Sequence, residues 1–152
     1  MGQTIYWAGP LFTQAERMWN RRCADELRTR GFTVVLPQEE ATAFMIKGKA
    51  DLKRIAENCY QQAITSDILV AVLDGADCDS GTGVEIGLRI GDRKTPSRAG
   101  VIGVLTDFRV IERGGPNAML TLVDDIVSVS SLHDDLNELI SALESAILRL
   151  SR

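Results

Sequence analysis

Ile68-Leu69-Val70-Ala71-Val72-Leu73 runs directly into Asp74-Gly75-Ala76-Asp77-Cys78-Asp79-Ser80-Gly81-Thr82-Gly83-Val84-Glu85-Ile86-Gly87. An apolar run with no alternation marks a strand covered on both faces, as at the centre of a parallel sheet. The Gly- and Asp-rich segment after it predicts a turn that opens a helix over about residues 82–92.

Toward the N-terminus, Thr4 to Ala8 predicts a short strand stopped by Gly9-Pro10. Thr13-Gln14-Ala15-Glu16 fits a capping box, and Ala15, Met18, Trp19, Cys23 and Leu27 then fall at helical spacing up to the stop at Gly31. Phe32 to Leu36 predicts a second strand ended by Pro37, residues 38–49 an exposed connection, and residues 50–65 a helix. Toward the C-terminus, strands are expected at Val101–Leu105 and Ile126–Val129, with a loop over 106–119 between them. A last helix is expected to begin near Ser131, with Leu136, Leu139, Ile140, Leu143, Ile147 and Leu150 on one stripe. Strands alternating with helices give an α/β fold: a doubly wound five-stranded parallel sheet in a flavodoxin-like or Rossmann-like three-layer sandwich, one domain spanning 1–152. Such sheets bind ligands outside the carboxyl ends of their strands. That rule selects residues 8–12, 37–40, 74–85, 106–109 and 116–119.

The 152 residues carry 45% hydrophobic and 25% charged side chains and a net charge of -4. This balance suits a soluble globular chain and argues against a nucleic-acid polymer or an anionic membrane as partner, since both require a basic surface. No signal peptide or apolar span is visible, and Cys23, Cys59 and Cys78 form no C-x-x-C pair, so a reducing cytoplasm is the expected compartment. His133 is the single histidine, which rules out a metal site built on several imidazoles; it is read as a surface residue near a helix start.

Glu85 is the leading chemical candidate. In the first turn of the expected helix it would meet a field favouring its ionised form, and an ionised carboxylate can act as a nucleophile at a sugar anomeric carbon. Thr82-Gly83-Val84-Glu85 equally fits a capping box in which Glu85 only satisfies a backbone N–H, and Asp79 or Ser80 fits an ordinary N-cap. Gly81, Gly83 and Gly87 space one residue too long for the dinucleotide fingerprint. Tyr6 faces away from Ile5 and Trp7; it is either a core residue or a hydroxyl donor to a carboxylate. Phe12 either stacks on a heterocycle or packs under its loop. Asn117 and Met119 lie in a Gly/Pro-rich loop where Asn is commonly a turn residue, and Asp107 with Arg109 fits a surface ion pair.

Taken together, Ile5 to Phe12, Leu36 to Glu39, Ser66 to Gly75, Asp79 to Gly87, Thr106 to Arg109 and Asn117 to Met119 resemble the nucleoside 2-deoxyribosyltransferase family over about residues 3–120. The resemblance implies a retaining double displacement, with Glu85 forming a covalent deoxyribosyl ester, Tyr6 orienting it and Asp79 helping to protonate the departing base. It implies substrate contacts from Gly9, Phe12, Gln38, Asp74, Ser80, Gly81, Asp107, Asn117 and Met119, with Asn117 serving a neighbouring subunit's site in a homo-oligomer. Nucleosides and free nucleobases are the implied partners, in deoxyribonucleoside salvage, and no metal or organic cofactor is required. Some members carry an aspartate where this chain has Asn58-Cys59, and the C-terminal helix also departs from the family. Related hydrolases of nucleoside monophosphates present a polar first loop to a 5′-phosphate, whereas Gly9-Pro10-Leu11-Phe12 is apolar, which favours an unphosphorylated nucleoside. The alternatives are an N-glycoside hydrolase using the same Glu85 and a non-catalytic nucleotide-sensing or signalling module; Asp74 resembles a phospho-acceptor, but Ala8-Gly9-Pro10 lacks the acidic pair that a phosphorelay needs.

Overall fold

The apolar run at 68–72 forms strand β5 (Ile68–Val72), buried along its whole length. The computed structural model describes residues 2–46, 48–92, 100–128 and 135–151. In it β5 pairs in parallel with β1 (Thr4–Ala8) on one side and β6 (Val101–Leu105) on the other. Strand β2 (Thr33–Val35) extends the sheet beyond β1, and β7 (Asp125–Ser128) extends it beyond β6. The order β2-β1-β5-β6-β7 is that of a doubly wound fold, and its crevice opens where the order reverses, between the carboxyl ends of β1 and β5.

The pleat sorts side chains onto two faces. Ile5, Trp7, Ile68, Val70, Val72, Ile102 and Val104 pack with helices α1 (Gln14–Thr29) and α6 (Leu136–Leu150). Tyr6, Ala8, Leu69, Ala71 and Leu73 face the other way, where Ala63 of helix α3 (Leu52–Thr65) and Ile86 of helix α4 (Ser80–Gly91) cover them. The separation of Tyr6 from Ile5 and Trp7 is as expected, and so are the three layers. The stripe on α6 is core: Leu139, Ile140, Leu143 and Ile147 are buried.

Several local expectations are corrected. Residues 37–50 are not a bare connection: they hold a one-turn helix α2 (Pro37–Glu40), a 3-10 turn (Ala41–Phe44) and a short antiparallel ribbon of β3 (Met45–Ile46) and β4 (Lys49–Ala50). The loop after β6 contains helix α5 (Phe108–Glu112) and a 3-10 turn (Ala118–Leu122). Helix α6 starts at Leu136 because Asp135 and Glu138 form a reciprocal capping box. Ser131, His133 and the end of the fifth expected strand at Val129 lie outside the described residues. No helix among the described residues is long and apolar enough to cross a membrane.

Candidate active site

The loop after β1 is held by side chains of the helix that follows it. Thr13 and Glu16 form the expected capping box, and Glu16 also accepts from the Phe12 N–H at 2.9 Å. Arg17 donates to the carbonyls of Leu11 and Phe12. Buried Asn20 accepts from the Trp7 indole at 3.1 Å and donates to the Pro10 carbonyl at 2.8 Å. Gly9 packs so closely on Val72 that a Cβ there would sit 3.0 Å from Cγ2. The backbone that carries Phe12 is therefore tied down, while the Phe12 ring itself stays 72% exposed.

The turn after β5 is shaped by Gly75, whose φ of 116° belongs to the left-handed region that glycine tolerates. Asp79 then caps α4, its Oδ2 accepting from the Thr82 N–H at 3.1 Å and from the Thr82 hydroxyl at 3.3 Å. This displaces the alternative cap at Thr82. Helix α4 starts at Ser80, so Glu85 is its sixth residue and sits in the second turn, beyond the first-turn field expected for it. Glu85 is not a capping-box residue: its carboxylate meets the Tyr6 hydroxyl, which donates to Oε1 at 2.6 Å.

Around this pair lies a cavity of about 390 Å³, within the range of small-ligand sites. Gly9, Leu11, Phe12 and Pro37 form one side, Ile55, Ala56, Cys59 and Tyr60 of α3 a second, and Asp79, Gly81, Glu85 and Leu88 of the α4 region a third. The lining is mainly apolar, and among the described residues it includes no Lys, Arg or His. Burial in it pushes the Glu85 carboxyl up to about 7; the Tyr6 hydrogen bond opposes that rise and the charge of Asp79 adds to it. Burial, then the Glu85 charge, raise the Tyr6 phenol far above its ordinary range, so it remains a donor at any working pH.

Of the residues singled out in the sequence, Tyr6, Gly9, Phe12, Asp79, Gly81 and Glu85 come together here. The others do not line this cavity. Gln38 donates to the Arg17 carbonyl at 2.8 Å and faces a separate groove with Gln14, Met18 and Arg21. Ser80 is exposed at the first position of α4. Asp74 is engaged by the β6 loop: its carboxylate accepts from the Thr106 N–H at 2.5 Å, from the Asp107 N–H at 2.8 Å and from the Thr106 hydroxyl. Asp107 pairs with Arg109 through two bonds, at 3.0 and 2.7 Å, and that guanidinium holds its carboxyl down at about 2. Asn117 caps the 118–122 turn by accepting from the Met119 N–H at 3.0 Å, and the Met119 side chain is exposed. The α3 wall was not anticipated. Its spacing, Ile55, Ala56, Cys59 and Tyr60, is one helical face, and that periodicity was the available signal.

The sequence model of the nucleoside 2-deoxyribosyltransferase family matches residues 5–137. Among solved structures, a conserved protein from Enterococcus faecalis is 25% identical, with a TM-score of 0.69 over 96% of this chain and 99% of its own. The 2-deoxyribosyltransferase of the psychrotolerant bacterium Bacillus psychrosaccharolyticus is 21% identical, with a TM-score of 0.62 over 90% of each chain. The CMP N-glycosidase of Clostridium botulinum is 15% identical, with a TM-score of 0.54 over 95% of this chain and 99% of its own. The last two likenesses are of fold. No curated protein matches the chain.

Proposed function

Since the chain belongs to the nucleoside 2-deoxyribosyltransferase family, we propose that it moves a 2-deoxyribosyl group from one nucleobase to another through a covalent ester on Glu85. The observation that carries this reading is the Tyr6–Glu85 bond of 2.6 Å, which holds Glu85 in the wall of a mainly apolar cavity at the sheet's switch point.

The phenol donates to Oε1, which leaves Oε2 to attack C1′ of the nucleoside from the face opposite the base. The C1′–N bond breaks through an oxocarbenium-like transition state, and Asp79 at the cavity wall, taking up a proton from solvent, passes it to the departing base. A second base then attacks C1′, the ester C–O bond breaks, and the two inversions give net retention. Low solvation raises the energy of the charged carboxylate and thereby its reactivity, while Tyr6 limits that rise so that a useful fraction is ionised near neutrality. Accordingly kcat/KM falls by about tenfold per pH unit below an acidic limb near the Glu85 value of about 7.

The substrate is an unphosphorylated nucleoside: among the described residues two carboxylates and no cation line the cavity, where a phosphate would meet like charge. Phe12 and Tyr60 offer the base aromatic surface. Asn117 and Met119, outside this cavity, are assigned to the site of a neighbouring copy in a homo-oligomer, and the enzyme acts in the cytoplasm. The test is incubation with deoxyinosine and adenine, followed by chromatography. Deoxyadenosine should appear with the wild type and not with Glu85→Gln. Release of free deoxyribose without dependence on adenine would instead make the chain a nucleoside hydrolase, and full activity in Glu85→Gln would remove the nucleophile assignment.

A further inference from the structure

Asp79 closes the N-terminus of α4 with one oxygen only. Its Oδ2 accepts from the Thr82 N–H at 3.1 Å, the bond that an N-cap requires, and from the Thr82 hydroxyl at 3.3 Å. The cap needs the first bond and not the second. Thr82 is nonetheless buried, and among the described residues its hydroxyl bonds to Asp79 alone. Gly81 constrains the same atom: a Cβ there would stand 3.1 Å from Asp79 Oδ2, so a side chain at position 81 would crowd the carboxylate. Asp79, Gly81 and Thr82 all line the cavity that holds Glu85.

We propose that Thr82 is a positioning residue for Asp79: its hydroxyl and N–H, with the space left by Gly81, hold Oδ2 at the helix end and leave Oδ1 to carry the proton that the departing base receives. This deepens the reading of the chain as a deoxyribosyl transferase and rests on it. Among the described residues both hydrogen bonds to the Asp79 carboxyl go to Oδ2 and none to Oδ1. As Glu85 Oε2 bonds to C1′, the C1′–N bond breaks and its electron pair goes to the base. The proton on Oδ1 moves to a ring nitrogen of that base, which leaves neutral, and Asp79 remains as the carboxylate. Proton transfer requires the acid within hydrogen-bond reach of its acceptor, so a carboxyl free to turn would protonate the base less often. The hydroxyl bond is the longer of the two, which keeps its effect modest.

The test compares two donors that differ in their need for that proton. Hypoxanthine leaves deoxyinosine neutral only if it is protonated, whereas the cationic purine of 7-methyl-2′-deoxyguanosine leaves neutral without one. In a double displacement, kcat/KM for the donor reports the first half-reaction alone. It is measured from base release, with adenine as acceptor, for wild type, Thr82→Val and Thr82→Ser, and thermal melts confirm folding. Thr82→Val keeps the N–H and the shape but not the hydroxyl. It should lower kcat/KM for deoxyinosine relative to the methylated donor by about fivefold. Thr82→Ser, which keeps the hydroxyl, should restore the ratio. An equal loss on both donors overturns the proposal, since packing or direct contact with the sugar would act that way. So does a ratio that Thr82→Val leaves unmoved or that Thr82→Ser fails to restore. NMR of the Asp79 carboxyl carbon in the free protein, assigned with Asp79→Asn, needs no turnover. The resonance should move in Thr82→Val and return in Thr82→Ser, and an unmoved resonance overturns the proposal. If the wild type cleaves neither donor, the functional reading fails, while the NMR comparison still decides whether Thr82 holds Asp79.

Discussion

Asp74 and Glu85 lie eleven residues apart in one segment, at the same edge of the same sheet, and they are opposites. Asp74 accepts two backbone N–H bonds and a hydroxyl from the loop after β6, so its acceptor capacity goes into joining two strand ends. Among the described residues Glu85 has one hydrogen bond, from Tyr6, beside a mainly apolar cavity. A carboxylate saturated by backbone donors is stabilised and inert. One that is buried with an oxygen unused is costly to ionise and reactive once ionised. Sequence position does not separate the two roles; the count of donors does.

The largest effect that would break this contrast concerns turnover. Glu85→Gln should lower kcat by at least about 10³-fold while the protein stays folded, and Asp74→Ala should leave kcat within about threefold. Comparable losses in both would erase the distinction. Next comes stability against pH. The folded-state value of Glu85, about 7, lies above its ordinary 4.5. The folded form therefore binds more protons than the unfolded form between those values, and wild-type stability falls as pH rises through that window. Glu85→Gln removes this penalty, so its stability advantage should grow by about 3 kcal/mol from acidic to mildly alkaline pH in urea melts. A constant difference would show that the carboxyl is not perturbed.

Asp74→Ala should instead cost about 2 kcal/mol at neutral pH, the loss of charge-assisted bonds to a loop, read as a lower urea midpoint. Tyr6→Phe should lower kcat about tenfold and move the acidic limb upward, since the bond that favours the ionised carboxylate is gone. Smallest of all, Arg109→Ala should leave melting temperature and kcat nearly unchanged, because the Arg109 side chain is 76% exposed in its pair with Asp107.

Much of the fold was legible because its signals are strong and local. The apolar run at 68–72 reported burial on both faces, Thr13 and Glu16 announced α1, and the alternation of Tyr6 against Ile5 and Trp7 placed the phenol on the correct face. The segment 37–50 was opaque: one-turn helices and two-residue strands carry no period long enough to detect. Glu85 was singled out by its segment, but its turn of the helix was misjudged, since Asp79, Ser80 and Thr82 all suit an N-cap and only packing selects among them. That Gln38 lies outside the Glu85 cavity could not be read for a related reason. The strand end was identified, but the direction of a side chain there depends on its bonds to Arg17 and Asn20 of a helix far away in sequence. Residues gathered from several elements, such as Cys59 and Tyr60 beside Phe12, emerge only once the crossover between β1 and β5 folds them into one wall.

The clamp on the loop after β1 separates two demands that usually conflict. Glu16, Arg17 and Asn20 grip its main chain and leave the ring of Phe12 unconstrained at the mouth of the cavity. Position 12 is thus a natural dial for evolution or for a saturation library: exchanging that one side chain reshapes the mouth of the cavity while the bonds that hold the main chain stay in place.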